Sequence, residues 1–359
     1  MTDVPTPVAG PHRPLPHTPV LAVGGARRTT SIDVVRPEGL AGPIDAHLHG
    51  RNLVRGDDGV ARPTDRLALR VRIDAVSGLI TEVDDHSTAS GPARAPADGG
   101  ALGLVGADVR RGLVRAVVDA LPDDAARRSL RYSALEDLNG ANLVSGYAPL
   151  RAGLYVGTPE DGEARAAMQV DVCAGWARGG AMVERLRLTG NNAVPMGPVA
   201  PPLDDPTARA LGGAAGAWHE LPVLAEHTVR RARRLDVHPP RSAGERGRLV
   251  AHFRDSYQAA DHEMVLHEYV VSADLVAGGA GPGLVLDSIE VDVRVLPWDE
   301  CPAAAASATR LDGTAVADLP ARVRAELVGP STCTHLNSTM RSLADADALV
   351  AALAGRTPT

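Results

Sequence analysis

The sequence contains no lysine: all 37 basic residues among its 359 are arginine. Such a chain forms no Schiff base with pyridoxal phosphate or a ketone. It supplies neither a P-loop lysine, nor a kinase strand lysine, nor a lysine base. Aromatic residues are scarce at 3%, so aliphatic side chains must build most of the core. The three cysteines, Cys173, Cys301 and Cys333, are odd in number and far apart. They make neither a disulfide framework nor a CxxC knuckle, which fits a reducing cytoplasm. No run approaches ~18 apolar residues without Arg, Asp or Glu, so no membrane span is expected. The N-terminus has no basic-then-apolar signal pattern. A formal charge of −7 with 23% charged residues describes an ordinary surface and no nucleic-acid footprint.

What is present is a 44% hydrophobic chain, long enough for two ordinary domains or one large one. Its Arg, Ala, Gly and Pro bias fits a GC-rich bacterial genome. Residues 1–25 carry Pro5, Pro7, Pro11, Pro14, Pro16 and Pro19, the composition of an extended, poorly ordered tail.

The chain then repeats itself. Arg27-Arg28-Thr-Thr-Ser-Ile32-Asp33-Val34 returns as Arg230-Arg231-Ala-Arg-Arg-Leu235-Asp236-Val237, and Ala46-His47-Leu48 as Ala251-His252-Phe253. Each copy continues with alternating strands: Leu67, Leu69, Val71 and Ile73, turning at Ser77-Gly78, then Leu79–Val83; and His267 to Leu275, then Leu284–Leu296. Each ends in helical spacing: Val109, Leu113, Val117, Leu121, then Leu135 and Leu138; and Leu319, Val323, Leu327, then Leu336, Met340 and Leu343. The expected fold is α+β, a duplicated unit of antiparallel strands followed by two helices, with halves related by a pseudo-twofold. Its parts are residues 26–149 as a supporting half, 150–228 as a Pro/Gly-rich connection and possible lid, and 229–359 as the half carrying the site. Short helices are expected near 160–178 and 207–220.

Several motifs fail. Asp45-Ala-His47-Leu-His49 resembles the HxH of metal-dependent amidohydrolases, but eight βα units and the further histidines are missing. His262-Glu263-Met-Val-Leu-His267 is one residue too long for a zincin HExxH. No GxGxxG opens a helix and no GxSxG elbow exists, so no organic cofactor is expected.

The richest stretch is His252-Phe-Arg254-Asp255-Ser256-Tyr257, followed by His267-Glu268-Tyr269 on an antiparallel strand. Cys333-Thr334-His335-Leu336-Asn337 opens the last helical pattern after Gly329-Pro330, placing His335 in a first turn. There the helix field favours a neutral ring or a bound anion. His252 and His335 are the expected acid–base pair, with Arg254 holding an anion or enolate. Tyr257, His267, Tyr269 and Asn337 are expected to orient the substrate, Asp255 and Glu268 to tune the histidines, and Trp176 and Trp218 to line an apolar lid. Cys333 ranks below the histidines as a nucleophile.

The Arg-Arg-Thr-Thr-Ser-Ile-Asp opening, Leu143-Val-Ser-Gly-Tyr147, His-Phe-Arg-Asp-Ser, Val-Leu-Pro-Trp298-Asp-Glu-Cys301-Pro and Cys-Thr-His-Leu-Asn with Arg341-Ser-Leu343 resemble a bacterial family catalogued only as a domain of unknown function. The resemblance spans nearly the whole chain after residue 25. It implies small-molecule chemistry in catabolism or secondary metabolism, without an assigned reaction.

The expectation is a cytoplasmic, cofactor-independent lyase, dehydratase, cyclase or isomerase acting on a small, largely apolar oxygenated metabolite. The alternatives are a divalent-metal enzyme using His252, His267, His335 and Glu268, and a non-catalytic binding or scaffold protein. Exposed strand edges suit a homodimer.

Overall fold

The computed structural model describes residues 6–7, 10–89, 101–155, 157–242, 244–278 and 283–355. It is built on one antiparallel sheet. The first half supplies β1 (Gly25–Val35), β2 (Ile44–Arg55), β3 (Ala61–Ile73) and β4 (Ile80–Asp85). The second supplies β5 (Val229–His238), β6 (Gly247–Gln258), β7 (Glu263–Ala277) and β8 (Leu284–Val295). Spatial order is β8-β7-β6-β5-β1-β2-β3-β4, with Thr88–Ala89 beside β3 as a ninth short strand. Each half thus runs outward in chain order from a central antiparallel β1–β5 pair.

Local chemistry explains the elements. On β3, Leu67, Leu69, Val71 and Ile73 are buried while their alternates are only half-buried, the period-two signature of a strand with one face on a core. At the following turn the Asp74 carboxylate accepts the Ser77 N–H at 2.7 Å. Gly78 takes φ 78°, a left-handed conformation that a side chain would strain.

One face of the sheet is covered by helices α1 (Leu113–Ala120), α2 (Leu130–Ser145), α3 (Leu319–Glu326), α4 (Thr334–Ser342) and α5 (Ala346–Leu353). Ser129 caps α2 by accepting the Tyr132 N–H. The expected helical stripes are all buried: Leu113, Val117, Leu135 and Leu138 against β2–β4, and Leu319, Val323, Leu336, Met340 and Leu343 against β6–β7. None of the helices is long and apolar enough to cross a membrane among the described residues.

The other face lies under residues 10–22 and the later part of the connecting segment, about Pro201 to Trp218. Of the segment's short helices Pro206–Gly212 lies there, while Pro159–Gln169 and Ala181–Thr189 flank Ala174, whose N–H donates to Thr332 O beside α4. The expected disordered tail is therefore corrected for residues 10–25, where Thr18 and Leu21 are buried; residues 1–5, 8 and 9 lie outside the described residues. The cause is the buried arginines beneath, which need acceptors. Proline-rich backbone has few N–H groups but keeps its carbonyls. Arg27 donates to Pro19 O at 2.8 Å, Arg55 to Leu21 O at 2.6 Å and Arg254 to Leu15 O at 3.2 Å.

The central strands are buried from Gly25 to Val34 and from Val229 to Val237. Covered on both faces, they nonetheless carry charge. Arg27 donates through Nε and Nη2 to Asp236 at 2.6 and 2.8 Å. Reciprocally, Arg230 donates to Asp33, both bonds at 2.6 Å. Each bidentate pair crosses the seam between the halves. Asp33→Ala leaves Arg230 buried without its carboxylate and is expected to cost about 3–5 kcal/mol in urea unfolding. A loss under about 1 kcal/mol, the worth of a surface pair, would show the pair to be energetically idle.

Candidate functional site

Register decides which candidates meet. β6 pairs with β7 so that Arg254 faces Glu268 and Asp255 faces His267. Neighbouring residues on a strand point to opposite faces, and the six-residue constellation is thereby split. His252, Arg254 and Glu268 lie on the face under the connecting segment. Asp255, His267 and Tyr269 lie on the helix face, where His335 reaches them from α4. The expected His252–His335 pair does not form: the sheet stands between the two rings.

On the connecting-segment face, His252 Nε2 sits 2.5 Å from Glu268 Oε1, and Arg254 Nη2 donates to the same oxygen at 2.9 Å. Leu15 N–H donates to Glu268 Oε2, and Arg254 Nη1 donates to Pro201 O at 2.6 Å. Trp218 packs edge-on to His252 and donates through Nε1 to Thr18. Every group except Leu15 and Pro201 is buried. Burial lowers His252 to about 4, against the pull of Glu268. Burial alone would raise Glu268, but His252 and Arg254 hold it low. A neutral imidazole facing a permanent carboxylate under a sealed cover is a structural clasp. Trp218 is therefore part of that cover, and Trp176 packs instead beside Val183 and Leu186.

On the helix face, Arg231 holds both Asp255 oxygens, Nε to Oδ1 at 2.7 Å and Nη2 to Oδ2 at 2.9 Å, and reaches Asp137 of α2 at 3.1 Å. Burial pushes the Asp255 carboxyl up, but Arg231 and His267 outweigh it and hold it well below the usual carboxylate range. His267 Nδ1 lies 3.5 Å and His335 Nε2 3.6 Å from Asp255 Oδ2. The two rings stack with centroids 3.9 Å apart. Burial and the adjacent His267 push His335 well below 6.5, against the pull of Asp255.

His335 is the second residue of α4, in the first turn as its sequence context implied. The N-cap, however, is Cys333, whose side chain makes no capping bond. Among the described residues, Asp255, His267 and His335 are the one group with metal-ligand spacing. It keeps two of the four metal ligands expected from sequence and replaces His252 and Glu268 by Asp255.

His335 opens onto a cleft of about 400 Å³ between α1, α2 and α4. Leu113, Val114 and Leu143 supply its apolar wall; Arg231, Asn337 and Arg341 supply polar groups. Asn337 donates to Leu327 O at 2.7 Å, leaving its Oδ1 buried and unpartnered. Burial lowers the Arg341 guanidinium, which has no carboxylate within ion-pair distance among the described residues.

Tyr257 lies away from this cleft, in a cluster with Tyr147 and bonded to His227. Tyr269 is fully buried beneath the site, and the three cysteines gather around it. That convergence of residues so distant in sequence left no local signal. Burial raises the Cys333 thiol in spite of its helix-terminal position, so it is not an activated thiolate.

Residues 229–349 match a family described as a protein of unknown function (DUF2889). The match runs from the first residue of β5 into α5 and contains Asp255, His267 and His335. The Arg-Arg-Thr-Thr-Ser-Ile-Asp opening of the first half lies outside it. No curated protein and no solved structure matches the chain.

The His252 clasp makes stability depend on pH. Its folded value, about 4, lies below the unfolded 6.5, so the unfolded chain takes the proton first as pH falls. The stability is present above 6.5 and drains away toward 4. The buried His219, also lowered by desolvation, acts in the same sense. Urea midpoints should fall between about pH 7 and about pH 5; a constant midpoint would contradict a buried neutral His252.

Proposed function

We propose that the protein is an enzyme that moves protons on a small, largely apolar oxygenated metabolite, as a lyase, dehydratase, cyclase or isomerase does. The chemistry centres on Asp255, His267 and His335, and not on His252. One observation carries this reading: His335, which converges with a second imidazole on a permanent carboxylate, lines a cleft large enough for a small molecule. The apolar wall suits a hydrocarbon skeleton. Arg341 and the free Asn337 acceptor suit its oxygens. A cytoplasmic setting belongs to the proposal, supported by three buried free cysteines.

The reading also takes the two halves as copies. The Arg27–Asp236 and Arg230–Asp33 pairs exchange equivalent partners across the seam. Arg28 faces Asn52 on β2 just as Arg231 faces Asp255 on β6. In that register His49 and Arg51 stand where His252 and Arg254 stand, two residues off the pairing of His47 with His252 read from sequence. Asn52 then stands where Asp255 stands, so the first copy lacks the charged centre. This supports one site per chain, in the second half.

A screen of small hydroxylated and carbonyl compounds with the full chain tests the proposal. For any compound turned over, His335→Ala should lower kcat by about 10²–10⁴-fold, the range for losing a proton-transfer group. Arg341→Met should mainly raise KM. His252→Gln, on the far side of the sheet, should leave kcat within about threefold when the protein is folded. Full turnover by His335→Ala would end the proposal.

A further inference from the structure

We propose that Asp255, His267 and His335 form a binding site for one divalent first-row transition-metal ion, open toward the cleft. The distances make the case. At 3.5 and 3.6 Å, the two imidazole nitrogens are too far from Asp255 Oδ2 for hydrogen bonds, which span about 2.7–3.2 Å. An ion held tetrahedrally at about 2.0–2.2 Å separates its ligand atoms by about 3.4 Å. Two edges of such a polyhedron are thus already in place. The third lies within 4.8 Å, and the rings, stacked without the ion, must tilt for both lone pairs to converge on it.

The surroundings fit a metal better than a hydrogen-bonded triad. His267 Nδ1 is buried without a hydrogen-bond partner. His335 Nδ1 lies 3.8 Å from Cys333 Sγ. A proton on Nδ1 directed at that sulfur leaves the Nε2 lone pair facing the carboxylate, an opposition that a cation relieves. Ligating histidines commonly carry such an outer partner on the second nitrogen. Asp255 Oδ2 accepts one bond from Arg231, which leaves its other lone pair for the ion. The set of two imidazoles and one carboxylate suits Zn²⁺, Fe²⁺, Mn²⁺ or Co²⁺ better than Mg²⁺ or Ca²⁺. With three protein ligands, a coordination position remains for water facing the cleft, the arrangement of catalytic rather than structural sites.

This inference does not depend on turnover. It deepens the proposed function, on whose site it rests: an ion held there would add a polarised water to the groups that move the proton.

The test uses the full chain, stripped with chelator and titrated with Co²⁺. One equivalent should bind with visible d–d absorption, displaced by Zn²⁺. His335→Ala and His267→Ala should abolish the signal, and His262→Ala, at a half-buried histidine outside the site, should keep it. A strong near-ultraviolet thiolate band would place the ion on the cysteines and overturn the proposal, as would no binding at micromolar Co²⁺. Diethyl pyrocarbonate labelling of the unmutated protein needs no variant to fold. Zn²⁺ should protect His267 and His335 but not His262, and equal labelling with and without Zn²⁺ overturns the site. Failure of metal binding while His335→Ala still loses turnover would leave the proton-transfer proposal standing without the metal.

Discussion

Buried arginine is the constraint on which this structure depends. A guanidinium cannot shed its charge at any ordinary pH, so the buried arginines on the central strands need acceptors; Arg234, beside Asp236 at 3.2 Å, is the one there with nitrogens left unpartnered among the described residues. The β1–β5 seam meets that demand by exchange: each half supplies the arginine for the other half's aspartate. The same need shapes the layers above. Backbone carbonyls of residues 15–21 close over Arg27, Arg55 and Arg254, and α2 brings Asp137 down onto Arg231 and Arg233. Hydrophobic packing holds the outer strands to their helices, while charge pairing sets how the two halves meet.

The candidate site grows from this scaffold. Arg231 is both a member of the seam and the clamp on Asp255. Because both Asp255 oxygens are held, the carboxylate has a fixed direction, and its remaining lone pair is presented to His267 and His335. His335 comes from a helix that also lines the cleft. Its position is set by Leu336 and Met340 packing on the sheet. The site is thus rigid on its carboxylate side and open on its imidazole side, which is what a metal or substrate needs from its floor.

The opposite face shows how the same residue types yield a buried, internally paired cluster. His252, Arg254 and Glu268 match the helix-face group in chemistry, but a proline-rich cover and Trp218 seal them. Composition makes both clusters look equally promising. What separates them is the cavity each meets, about 400 Å³ beside His335 and about 30 Å³ beside His252, and that is a property of the covering layers.

Much was readable from the chain alone. The alternation of Leu67, Leu69, Val71 and Ile73, the Ser77-Gly78 turn and the stripes Leu319–Val323 and Leu336–Met340–Leu343 fixed strands and helices, because period and burial are local consequences of geometry. The absence of lysine and the first-turn position of His335 were equally local. What tertiary structure decided was the face each candidate takes and what covers it. A shift of one residue in register moves a side chain through the sheet, and register is set by pairing between strands, not by either strand's own residues. That is why Asp255 displaced His252 in the site, and why Arg341, Asn337 and the cysteines around Tyr269 gained their places only once α2, α4 and the connecting segment had docked.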